Sequence, residues 1–138
     1  MENPTLPNIE TEIIQLHQFF QDWFNGEIPR STGSFSRLTE VLAPSFIIIS
    51  PDAGILDRAT LLKTLDSAHN TRQAMRIWIQ DILLPHQIGD NYIATYQEWQ
   101  ELEDRVTARL STAVFHVHPG TPNGVRWIHV HETWLAQK

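Results

Sequence analysis

At 138 residues, with 41% hydrophobic and 19% charged side chains, the chain has the composition of a compact globular protein rather than of a disordered segment. Ten Lys and Arg against sixteen Asp and Glu give a net charge of −6, which repels phosphate backbones and anionic membrane surfaces, so no nucleic-acid and no membrane partner is expected. The absence of cysteine excludes disulfides, thiol nucleophiles and thiolate metal sites.

No run of about 18 apolar residues suggests a membrane span, and residues 1–12 show neither a basic stretch nor an apolar signal core. The expected location is the cytoplasm. Pro4 and Pro7 mark an irregular leader over residues 1–8, within what reads as a single domain spanning 1–138. Beyond the leader, Ile9, Ile13, Ile14, Leu16, Phe20, Trp23 and Phe24 recur near helical spacing until Asn25 and Gly26, predicting a long amphipathic helix. Phe35, Leu38, Val41 and Leu42 predict a short second helix that Pro44 would stop. Residues 46–50 are too β-branched for a helix and are followed by Pro51, Asp52, Ala53 and Gly54, the chemistry of a hairpin turn. Asp57 is placed to cap a third helix from Arg58 to about His69.

Four long strand-like stretches follow, at about 74–88, 91–103, 104–118 and 125–136, separated by turns at Gly89 to Asn91, Glu103 to Asp104 and Pro119 to Gly124. Helices first and an antiparallel meander afterwards predict an α+β fold. Three N-terminal helices would pack on one face of a strongly curved antiparallel sheet of about six strands, a short hairpin plus four long strands.

This layout, together with the succession of residues 46–50 and 51–54, Leu56, Asp57 and Arg58, residues 96–100, residues 109–115 and residues 127–132, resembles the nuclear transport factor 2-like superfamily, and within it the SnoaL-like members. The resemblance covers about residues 9 to 136. It implies a cystatin-like cone, formed by the bent sheet, closed by the helices and enclosing a pocket. The superfamily includes isomerases, cyclases and dehydratases as well as non-catalytic association domains, so the fold alone does not fix the chemistry. The catalytic Asp and Tyr of the steroid isomerases have no alignable counterpart in this chain.

Residues two apart on a strand share a face, so His129 and His131 project together with Trp127 from the last strand, and the resemblance turns that face into the cone. There His131 is the candidate proton shuttle and His129 a ligand contact, the other reading being a pair of hydrogen-bonded structural histidines. Arg109 and Ser111 share a face of the preceding strand and form a candidate anion anchor, with Arg109 alternatively paired to Glu98 or Glu132. Tyr96 and Glu98 share a face opposite to that of Gln97 and Trp99. If the first pair points inward, Glu98 is a second candidate general base. Trp23 and Trp127 are the aromatics most expected to touch a ligand.

His116 and His118 beside His129 and His131 raise a metal set, but the strand register offsets the two pairs, and no metal is expected. Asp52 and Asp57 are assigned to turn formation and capping. With no phosphate-cradling glycine motif, no cofactor is called for. The leading reading is a small-molecule-binding domain with an internal pocket, acting on an organic acid or ketone by His and Glu acid–base chemistry. If it is an enzyme, the activity would be that of a cofactor-independent isomerase, dehydratase or hydrolase. The alternative is a non-catalytic homo-oligomerisation or interaction module, a homodimer joined through the outer sheet face.

Overall fold

A computed structural model describes residues 7–136. Helix α1 runs Ile9–Asn25, opened by Asn8, whose side chain accepts from the Thr11 amide at 3.1 Å, and closed by Gly26 at φ 74°. Its inward stripe carries Ile9, Ile13, Leu16, Trp23 and Phe24 and also two buried polar residues, Glu12 and His17. Helix α2, Thr32–Thr39, starts three residues earlier than its apolar spacing suggests, because Ser31 accepts from the Ser34 amide and caps it. Pro44 does not act as a helix stop. It lies inside strand β1, Leu42–Ile49, where the pairing register slips between Leu42 and Ile47 and a residue without an amide proton is tolerated.

Strand β2, Ile55–Asp57, pairs antiparallel with β1, and Asp57 accepts from the Thr60 amide at 2.8 Å to open α3, Arg58–Ser67. The four long strands are β3, Arg76–Ile88, β4, Asn91–Leu102, β5, Arg105–Val117, and β6, Val125–Trp134. Three helices on a six-stranded sheet is the expected α+β architecture. The sheet is mixed rather than antiparallel throughout: its order is β2-β1-β6-β5-β4-β3, and β1 lies parallel to β6. The meander β3 to β6 leaves the last strand with a free inner edge, and the early hairpin fills it.

Curvature has a local cause. Two register shifts in β3, between Gln80 and Leu83 and between Leu83 and His86, with Asp81 at φ 55°, bend this edge strand and admit Pro85 within it. The core lies between α1 and the concave face, where Trp23, Trp127, Tyr96, Phe115 and Ile13 are fully buried. Trp23 donates its Nε1 proton to the Leu65 carbonyl at 2.7 Å and stays in this core, against the expectation that it would meet a ligand.

The end of α1 is fastened to the segment after α3 by Asn70 N donating to Trp23 O and Arg72 N donating to Phe24 O, both at 3.0 Å. A Cβ on Gly26 would land on the Asn70 side chain, and the left-handed backbone there disfavours any L side chain. Gly26→Ala is therefore expected to lower stability by about 1–3 kcal/mol. Urea unfolding measures this, and an unchanged midpoint would mean that α1 does not close on Asn70 as described.

Candidate functional site

Between α1, α3 and the concave face lies a cavity of about 370 Å³, within the range of small-molecule sites. Its walls are mostly apolar, with Leu16, Phe20, Phe24, Leu38, Phe46 and Ile48 prominent. Four titratable side chains meet on its floor, where His17 from α1 approaches Glu98 of β4, Arg109 of β5 and Glu132 of β6.

Sheet register explains this gathering. Glu98 pairs with Arg109, and Tyr96 pairs with Ser111, which in turn pairs with Glu132. These residues therefore stand on adjacent rungs of one face. Tyr96 and Glu98 do point inward, so that open choice of face is resolved.

The two histidines of β6 do not join them. Val114 pairs with His129 while the next residue, Phe115, pairs with Trp127, leaving Ile128 as an extra residue in a bulge. One inserted residue reverses facing beyond it. Trp127, Val130 and Glu132 then line the cavity, whereas His131 is exposed and His129 half-buried on the convex face. The expected alternation held only up to Trp127. Plain alternation missed Glu132, although its place beside the histidines was visible.

His17 was also missed, and its signal was a polar residue within the apolar stripe of α1, four positions after Ile13. Its Nδ1 lies 2.7 Å from the Ile13 carbonyl oxygen and its Nε2 3.1 Å from Glu98 Oε1. Both neighbours are acceptors, so both ring nitrogens donate and the ring is an imidazolium. Burial pushes the His17 pKa down, yet the attraction and hydrogen bond of Glu98 outweigh it and hold it above the usual 6.5. Burial likewise pushes Glu98 up, but His17, Arg109 and Gln100, whose Nε2 donates to Glu98 Oε2 at 2.5 Å, bring it down to about 2. Glu98 is an ionised member of a buried pair rather than a free base.

Glu132 takes the other course. Burial and the nearby Glu98 charge raise its pKa to about 7, the pull of Arg109 only partly offsetting them. Arg109 Nη1 donates to Glu132 Oε1 at 3.2 Å and Ser111 Oγ to Oε2 at 3.3 Å. Ser111 is fully buried behind Glu132 and positions it instead of lining the cavity. The Arg109 guanidinium packs over Trp134, 4.8 Å from the ring centroid, and its Nε is buried without a partner among the described residues. Burial pushes the Tyr96 hydroxyl well above its usual pKa, keeping it a donor.

Behind Trp127 a second buried cluster serves structure. Glu12 accepts from Arg37 Nη2 at 2.8 Å, Arg37 Nη1 at 3.3 Å, Asn123 Nδ2 at 2.9 Å and Trp127 Nε1 at 2.8 Å. It fixes the ring that closes one side of the cavity. Of the remaining candidates, His116 bonds Asn91 Oδ1 at 2.8 Å at the sheet end, and Asp52 accepts from Trp134 Nε1 at 3.1 Å. Among the described residues no group of three or more His, Cys, Asp or Glu is arranged to hold a metal.

Comparison with known proteins gives the lineage. The protein from Nicotiana tabacum named sucrose-phosphatase 1 is 30% identical over 128 residues, which are 90% of this chain but 30% of that protein. The chain thus spans about 30% of the length of the curated relatives it matches. An NTF2-like protein of unknown function from Pseudomonas aeruginosa superposes with a TM-score of 0.82 at 27% identity, over 92% of this chain and 98% of that one. A putative calcium/calmodulin-dependent protein kinase type II association domain from Thiobacillus denitrificans shares the fold, with a TM-score of 0.64 at 21% identity, over 97% and 100%. The fold is NTF2-like, as the resemblance implied. The model of the sucrose-6-phosphate phosphohydrolase C-terminal family matches residues 9–136, and the chain belongs to that family.

Proposed function

We propose that the chain is a single small-molecule-binding domain whose ligand, an organic acid or ketone of largely apolar bulk, sits in the cavity with its polar end on the His17, Glu98, Arg109 and Glu132 floor. The observation that carries this reading is the combination of a cavity of about 370 Å³ with mostly apolar walls and a cluster of four titratable side chains on its floor. The family name brings a sugar to mind, but a sugar would turn most of its hydroxyls toward leucine and phenylalanine, each unpaired hydroxyl costing roughly 1–3 kcal/mol. An amphiphile with one polar end suits the walls better.

Acid–base chemistry in this cavity falls to Glu132, which holds a proton near neutrality, rather than to His131 on the convex face or to Glu98 in its ion pair. The test is a titration with 1-octanol, followed by calorimetry and by chemical-shift changes at Trp127. Saturable binding is expected, and Ala68→Trp, which fills the cavity from its wall, is expected to abolish it without unfolding the protein. If neither octanol nor its carboxylate analogue octanoate binds the unmodified chain, the proposal falls.

A second reading rests on the convex face. Leu83 is 63% exposed and Leu110 38% exposed there, beside the stacked rings of Trp78 and Trp99 at 6.1 Å. This supports a homodimer joined sheet to sheet. Sedimentation equilibrium checks it, with Leu110→Lys expected to raise the monomer fraction. Among the described residues no helix is long and apolar enough to cross a membrane. A cytoplasmic location fits this reading.

A further inference from the structure

We propose that the cavity is a receptor for an amphiphilic monocarboxylate, an apolar chain or ring ending in one carboxylate, whose head lies between Arg109 and the carboxyl of Glu132 and enters together with one proton. This rests on the small-molecule reading above and narrows it to one chemical class and one binding step.

The charge on the floor decides which head group it takes. Facing Glu132 are His17 from α1, Tyr96 and Glu98 from β4, and Arg109 from β5. Helices α2 and α3 and strands β1, β2 and β3 contribute uncharged side chains to the lining, and the one further charged lining residue is Arg72, exposed and packed over the Phe24 ring, whose cation adds to the attraction for an anion. The His17 imidazolium and Glu98 carboxylate cancel, leaving the Arg109 cation and Glu132.

With Glu132 ionised, the floor is neutral, and a carboxylate would add an unpaired negative charge where water is scarce. With Glu132 protonated, the floor carries one positive charge, and one carboxylate neutralises it. The same proton supplies the second hydrogen bond. The Glu132 carboxyl meets Arg109 and the Ser111 hydroxyl and its side chain lines the cavity, so a proton on it can turn from the neutral Ser111 hydroxyl to a charged ligand oxygen, the stronger acceptor. Arg109 lines the cavity and uses only Nη1 in a hydrogen bond inside the protein, so its guanidinium retains terminal donors for a carboxylate. That Glu132 titrates near neutrality agrees with this exchange.

Other head groups fit less well. An ammonium would be a third cation on a floor with at most two anions. A phosphate monoester, near two negative charges, would exceed the one positive charge available.

The test compares octanoate, 1-octanol and octylammonium on the full chain by calorimetry between pH 6.5 and 9, in buffers of different ionisation enthalpy. Octanoate is expected to bind with uptake of close to one proton at pH 8, its affinity falling roughly tenfold per pH unit above about 7, while octylammonium binds at least about tenfold more weakly. In Glu132→Gln the octanoate uptake is expected to drop by nearly one proton, with the pH slope reduced to match. His17, the other floor group that titrates above its usual range, feels the Glu132 charge, so its own titration is followed by the imidazole proton shifts in both proteins and subtracted from the difference. Arg109→Met is expected to weaken octanoate binding at least about tenfold, but Glu132→Gln decides the matter should that variant not fold. Octanol binding without octanoate binding, or octanoate binding with no proton uptake, overturns the inference and leaves the cavity reading standing. If neither binds, the cavity reading has failed and this inference fails with it.

Discussion

Glu12→Ala is expected to be the most damaging single substitution in the chain outside the apolar core, lowering unfolding free energy by about 3–5 kcal/mol. The carboxylate is fully buried and holds Arg37, Asn123 and the Trp127 indole at once. Removing it strands a guanidinium that is itself four-fifths buried, leaves an indole N–H without its acceptor and takes from the Asn123 amide one of its two acceptors, Gln15 being the other. A buried pair need not be worth much in itself, because desolvation offsets most of the attraction; the loss comes from breaking it one-sidedly. The double variant Glu12→Leu with Arg37→Leu should therefore recover much of what Glu12→Ala loses. Urea unfolding at pH 7 measures both, and a single variant within about 1 kcal/mol of the parent would show that water readily replaces this carboxylate. Because Trp127 walls the cavity, the same variant should also loosen ligand binding. Stability and the site are joined at this residue.

Much of this was readable before any coordinates. The period of α1, the capping Asp57, the 51–54 turn and the four long strands each follow from local chemistry, and local chemistry survived folding. Unbroken alternation on β4 and β5 made it legible that Tyr96 and Glu98 share one face and Arg109 and Ser111 another shared face, while which side of β4 looks inward could not be read from the alternation itself. What was hidden is non-local. The parallel seating of β1 beside β6 depends on which edge the meander leaves free, and the bulge at Ile128 depends on fitting β6 between β1 and β5. Neither leaves a mark in a window of a few residues. One extra residue sufficed to exchange His129 and His131 for Val130 and Glu132 on the inner face. Glu12 and His17 were visible as polar intrusions in an apolar stripe, and such intrusions signal either a partner or a function.

Glu132→Gln is expected to stabilise the protein at neutral and alkaline pH and to change little in acid. The folded carboxyl titrates at about 7 against an ordinary 4.5, so it is raised. Below pH 4.5 both folded and unfolded chains hold the proton, and the group is neutral in its effect. Between 4.5 and 7 the unfolded chain releases the proton while the folded chain keeps it, so stability falls with rising pH, by on the order of 3 kcal/mol once 7 is passed. Glutamine keeps an acceptor for Arg109 and a polar contact for Ser111 while removing the charge that Glu98 opposes. The variant should gain most of that amount at pH 8 and almost none at pH 4.5. Glu98, held at about 2, works in the opposite sense: its contribution is present above 4.5 and lost as the pH falls through 2, and it is unchanged in direction in the variant. Denaturant titrations at the two pH values read the difference directly, and equal stability of variant and parent at pH 8 would refute the raised titration of Glu132. A buried carboxyl that costs stability above its titration point is unexplained by folding alone. Its place on the cavity floor gives that cost a reason under the proposed ligand exchange.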